Sequence, residues 1–238
     1  MFKQSILTLI GVVIITLSSA GTFPAQSSSA NVSQTIPPHE DHQFWSELQL
    51  TKHVNKKQDV VIFGVVRMGR NWHRPVDERF GVGYAFKINP HLTIMPTYLR
   101  VEYQPYPGRI IHEERLIINA TLKGNLGKFL FTDRNLYERR VRPSTADFNV
   151  YRNRLQIDHP AHIGDFKFKP FIADEIWHSD QRQANGREFG WFRNRISAGI
   201  IRQFNDKFSG EFYVLMQHDG LSRPGNIPVA GAIFRYTL

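Results

Sequence analysis

From residue 44 onward, apolar and aromatic side chains recur at every second position in stretches of about ten residues. That is the two-residue period of a strand with one oily face. The positions between are often charged. Arg152 and Arg154 alternate with Tyr151, Leu155 and Ile157, and Arg193 and Arg195 alternate with Phe192, Ile196, Ala198 and Ile200. A face carrying so many guanidiniums must meet water or paired carboxylates, because a lipid-facing Arg at the bilayer midplane costs ~2–4 kcal/mol. One apolar face and one charged face, repeated over many strands, is what a closed membrane barrel with a polar interior requires. The pattern predicts an all-β fold, an antiparallel up-and-down transmembrane β-barrel.

Strands read near 44–54, 59–69, 79–88, 91–104, 109–122, 129–142, 147–158, 166–178, 189–204, 208–218 and 229–238. Single-chain bacterial barrels have an even number of strands. The wall is therefore expected to hold 10 strands if 44–54 stands outside it, or 12 if one strand is hidden. Short turns rich in Asn, Gly and Lys at 55–58, 89–90, 123–127 and 205–207 alternate with loops at 69–78, 104–108, 179–188 and 219–228. These loops are mostly longer and carry Pro, Arg and Trp, and such sorting fits an outer-membrane barrel. The seven-residue turn His159 to Asp165 departs from it.

Residues 1–20 read as a cleaved signal peptide: Lys3, an apolar run from Ile6 to Leu17, and small residues at Ser18, Ser19 and Ala20. Ala25 and Ala30 are alternative cut sites. The apolar run is shorter than the ~20 residues a spanning helix needs. Residues 21–43, rich in Ser, Ala and Pro, read as a flexible leader, and 44–238 as the barrel. The chain has no Cys, which removes disulfides, thiolate metal sites and an N-terminal lipid anchor on Cys. A net charge of +9 raises the question of nucleic acid. Export argues against it, and the Arg residues are spread through strands instead of clustered. Lipopolysaccharide phosphates or other anionic solutes are the expected partners for such charge.

Strand by strand, Phe80, Val82, Tyr84, Phe86 and Ile88 form one face against Gly81, Gly83 and Ala85. Leu116, Ile118, Ala120 and Leu122 oppose Glu113, Arg115, Asn119 and Thr121, and Met95, Leu99, Val101 and Tyr103 face away from Tyr98, Arg100 and Glu102. Arg134, Glu138, Arg140 and Arg142 share a face that leaves Asp133 and Arg139 on the other, and Asp174 sits awkwardly beside Glu175. The lumenal set expected from these faces is Arg100, Glu102, Glu113, Arg115, Arg134, Glu138, Arg140, Arg142, Arg152, Arg154, Glu175, Arg193, Arg195, Glu211 and Arg235.

In the last strand Ala230, Ala232, Phe234, Tyr236 and Leu238 share one face. This resembles the C-terminal assembly signal of outer-membrane proteins, with Leu238 where an aromatic is usual, and implies the barrel-insertion machinery as a partner. Several phrases also resemble the bacterial outer-membrane barrels of domain-of-unknown-function family 2490. They are the start at Trp45, Glu113-Glu114-Arg115-Leu116, Arg134 to Arg140 with Glu138 between, Arg152-Asn153-Arg154-Leu155, Glu175 and Arg193-Asn194-Arg195. The resemblance covers roughly residues 44 to 238. It implies a barrel in the outer membrane and brings no activity and no catalytic residues.

Two roles stay open for the lumenal charges. Arg and Glu on neighbouring strands can pair bidentately and fill the interior as a rigid polar core. Alternatively, Arg in excess of Glu can form a track that guides small anions through a pore. A hydrolase needs a Ser beside a His with an orienting third group. His178-Ser179-Asp180 is the one adjacent cluster, and neighbours on a strand point to opposite faces. His159 and His162 lack a third ligand. The expectation is no catalytic set, no metal and no cofactor. The competing fold is a soluble lipocalin-like barrel, apolar inside and charged outside.

Overall fold

The computed structural model describes residues 39–143, 145–182, 186–220 and 224–238. The expected signal and most of the leader lie outside these residues. The alternation seen in the sequence becomes β1 (Gln43–Asn55), β2 (Gln58–Gly69), β3 (Arg74–Lys87), β4 (Leu92–Tyr106), β5 (Arg109–Leu126), β6 (Phe129–Arg142), β7 (Thr145–Asp158), β8 (Ala161–Ile163), β9 (Phe166–Arg182), β10 (Glu188–Asn205), β11 (Phe208–Asp219) and β12 (Asn226–Thr237). Among the described residues there is no helix long and apolar enough to cross a membrane.

The strands form one closed sheet. Each wall strand pairs antiparallel with the next, β7 joins β9 directly, and β12 closes on β1. Among the described residues twelve strands are present, one of the two expected totals, but eleven of them make the wall, where an even number is expected. The twelfth, β8, lies in the turn at 159–165 and pairs only with the start of β9, Ala161 against Phe168. An odd wall makes its first and last strands run the same way. β1 and β12 accordingly pair in parallel, from Gln43↔Val229 to Thr51↔Thr237. The expected loops at 104–108 and 179–188 are largely strand: β4 and β5 meet at the turn after Tyr106, and β9 runs on to Arg182. Longer strands thus take up much of the length assigned to loops.

Directly opposed residues share a face, so the register carries one face around the whole barrel. Phe80 (53 % exposed), Ile118, Ile196 and Val214 (64 %) lie on the outside. This outer apolar surface, with charge inside, is the reverse of a lipocalin-like arrangement. Inside, β4, β5 and β6 contribute an apolar cluster of Leu99, Val101, Ile117 and Leu136, with Phe63 and Tyr103 against it. A Cβ on Gly81 would stand 2.4 Å from the Phe63 ring, so this inward glycine makes room for it.

That cluster corrects two expected lumenal residues. Leu99 and Val101 face inward opposite Arg115 and Glu113. Arg100 and Glu102, of opposite parity, therefore project outward, pairing with each other at 3.2 Å. Alternation says which residues share a face; it took the register to say which face is inside. Phe192 is a second correction. A bulge between Trp191 and Arg193 turns it toward the lumen, where it packs against Trp177.

Candidate functional site: the charged lumen

The remaining thirteen expected residues face inward. Two rows of direct cross-strand neighbours organise much of the set. One runs Leu136, Arg152, Trp177, Arg193, Asp219 across β6, β7, β9, β10 and β11; the next runs Arg134, Arg154, Glu175, Arg195, Gln217.

Four glutamates organise the guanidiniums. Glu138, with no accessible surface, accepts Nε and Nη2 of Arg140 at 2.9 and 2.5 Å and Nη1 of Arg152 at 2.7 Å. Arg115 stands 3.7 Å from the same carboxylate. Glu113 accepts Nε of Arg115 at 2.5 Å and Nε of Arg142. Glu175 accepts Nη2 of Arg152 at 2.7 Å and Nη1 of Arg195 at 3.1 Å, with Arg134 at 3.5 Å. Glu211 accepts Nη2 of Arg235 at 2.7 Å, with Arg154 at 3.7 Å. Arg152 is therefore the tie between Glu138 and Glu175. Charge-assisted forks of this kind fix geometry as well as energy.

The sequence reading missed the aromatic centre of this network. The buried Trp177 ring has four guanidiniums around it: Arg152 at 3.9 Å, Arg195 at 4.6 Å, Arg193 at 4.9 Å and Arg140 at 5.4 Å from its centroid. An indole face attracts cations, so it helps hold like charges together between the carboxylates. Also missed were Asp77, which accepts two hydrogen bonds from Arg79 at 2.6 Å and one from Arg67 at 3.5 Å, and Asp219, which holds Arg193. Extending the parity of Gly81 back along β3 would have found Arg79 and Asp77. Trp45 stacks under Arg67 at 3.7 Å and donates its Nε1–H to Gln43.

His178 and Ser179 point to opposite faces: His178 packs on Trp191 outside, while buried Ser179 donates to the Asn149 carbonyl. Asp180, also outside, accepts from Asn149. These three residues form no relay. Among the described residues no three His, Cys, Asp or Glu side chains gather as metal ligands.

The outer wall of the same strands carries a second polar cluster. Asp133 accepts the amides of Asn135 and Asn153 at 3.0 and 2.6 Å, and Tyr151 donates to Asn135 at 2.6 Å. Asp174, the central residue of β9, accepts Asn194 at 2.5 Å. Direct cross-strand partners of Asp174 are Leu155 and Ile196.

The family model described as "Protein of unknown function (DUF2490)" matches residues 42–226. No curated protein matches. Among solved structures the chain is similar to the NanC porin in a rhombohedral crystal form, at 11 % identity and TM-score 0.48 over 83 % of this chain and 98 % of that one. It is also similar to LpxR from Salmonella typhimurium, at 7 % identity and TM-score 0.47 over 79 % and 86 %.

Proposed function

We propose that this chain, which belongs to the family of proteins of unknown function DUF2490, is an outer-membrane barrel whose lumen is sealed at its waist by its own charges. One observation carries this reading. Glu138 and Val101 at 0 % exposure, with Glu113 and Trp177 at 1 %, are fully enclosed groups contributed by β4, β5, β6 and β9 on the half of the lumen away from Leu238. A water path through that level would leave such large side chains wetted.

The membrane part of the reading is supported by the outer apolar surface and by where it stops. Glu78, Arg100, Glu102, His112 and Glu114 form an outward collar at the end of the wall away from Leu238. There they suit the polar headgroup zone, and the basic balance of the chain as a whole suits lipopolysaccharide phosphates as a partner. The outward residues Ala230, Ala232, Phe234 and Tyr236 suit recognition of the last strand by the insertion machinery. A role as rigid scaffold or small-anion holder follows from a closed interior with Arg in excess.

The protein should fractionate with outer membranes and change apparent size on gels when boiled. Recovery as a soluble periplasmic species would overturn the membrane part. Purified folded protein in a planar bilayer should be silent. Steady conductance with anion preference, weakened by Arg→Ala at 152, 154, 193 and 195, would replace the sealed barrel with a pore.

A further inference from the structure

The guanidiniums are not served equally. On the side of the waist toward Leu238, Arg134 and Arg154 are direct cross-strand neighbours on the lumenal face. Like charges directly opposed on a sheet destabilise it unless something stands between them. Each has only a long, shared carboxylate contact. Glu175, 3.5 Å from Arg134, is already taken by Arg152 and Arg195, and Glu211, 3.7 Å from Arg154, by Arg235. Nε of Arg134 is buried without a hydrogen-bond partner, and Arg154 reaches Glu211 only at 3.7 Å. Glu47, which the register places across Ile233 from Glu211, accepts from Gln49. Arg134, Arg154, Arg195 and Arg235 thus meet the carboxylates of Glu47, Glu175 and Glu211, with Glu175 also shared by Arg152, so positive charge is in excess here. The underserved side chains are also reachable, with 35 % of Arg134 and 21 % of Arg154 exposed.

We propose that the Arg134–Arg154 pair is a binding site for a small phosphate-type oxyanion held inside the lumen. Two planar forks side by side present N–H groups that one tetrahedral group can accept together. A phosphate group carries about two negative charges near neutral pH, which offsets the local excess. Bridging both guanidiniums also removes their mutual repulsion. The site stands whether or not the waist is sealed, because it lies to one side of the Glu138 level.

The test is calorimetric titration of inorganic phosphate into the folded barrel in detergent, at fixed chloride. Saturable binding is expected, weakened about tenfold or more by Arg134→Gln or Arg154→Gln, each of which removes one charge-assisted fork. Arg139→Gln, on the outer wall beside Asp147, should bind phosphate as the parent does. Both lumenal variants should keep the heat-dependent gel shift of the folded barrel, because Glu175 and Glu211 retain their nearer guanidiniums. Folded protein that takes up no phosphate beyond the effect of chloride would overturn the site. So would undiminished binding in both variants. A conducting bilayer record would instead unseat the sealed waist and leave this site untouched.

Discussion

On β6, β7, β9 and β10 the lumenal face is tied by guanidinium–carboxylate pairs, and the outer face of the same strands by carboxamides. Inside, Arg152 spans Glu138 and Glu175; outside, Asn153 spans Asp133 and Asn135. The inner groups are enclosed, so each carboxylate has to be matched by full opposite charge. The outer carboxylates of Asp133 and Asp174 are met by neutral donors, which leaves negative charge on the wall. Inner ties interlock over several strands, and removing one member strands its partners. The outer ties are local.

The first way to break this comparison is Glu138→Ala. Arg140 and Arg152 would lose their shared acceptor in an enclosed space, which typically costs ~3–5 kcal/mol. Thermal unfolding in detergent should fall far below that of Glu78→Ala, whose side chain faces outward opposite Glu102. Equal stability of the two variants would mean that the inner network is solvated. Gly81→Val comes next. Its new methyls collide with the Phe63 ring, and overpacking of this kind costs about 1–3 kcal/mol. The effect tests whether the apolar cluster of the lumen is as tightly filled as its charged network.

Asp174→Leu sharpens the outer half of the comparison with the opposite sign. A carboxylate among Leu155, Ile196, Ile172 and Ile176 should be less stable against lipid than leucine. The gain should be smaller than the ~2–4 kcal/mol that Arg or Lys would cost there. Chemical unfolding from lipid vesicles measures it, and a loss of stability would show that this stretch of wall does not face acyl chains. The smallest effect belongs to Arg139→Ala. Its exposed pair with Asp147 at 3.0 Å should contribute about 0–1 kcal/mol, fading as salt is raised.

The strands were legible because a two-residue period survives burial on one face, and each expected segment corresponds to a wall strand. The lumenal set was legible where charge decided the face, as at Arg152, Arg154 and Glu175. It failed at Arg100 and Glu102, where both faces of β4 offer plausible partners and only its pairing with Glu113 and Arg115 settles the question. It failed again at Phe192, where a bulge beside Gly190, a glycine at positive φ, shifts the parity that simple alternation assumes. Trp177 was overlooked for a different reason. Indole reads as apolar, and its value here comes from four cations brought from neighbouring strands. Asp133 and Asp174 were visible as misfits, and the structure leaves them outside.

The parallel seam has a consequence for how the wall assembles. Every other contact in the wall joins strands that follow one another along the chain, and hairpins of that kind form in roughly 1–10 μs. The seam joins Gln49 to Arg235 across 186 residues. Its cost is set by closing the whole chain into a ring. Until β12 docks, β1 and β11 are open edges with unpaired amides and carbonyls, and the charges of the interior have no continuous screen around them. Closure of the ring, a single non-local event, is therefore the step at which this sequence stops being a row of hairpins and acquires an inside.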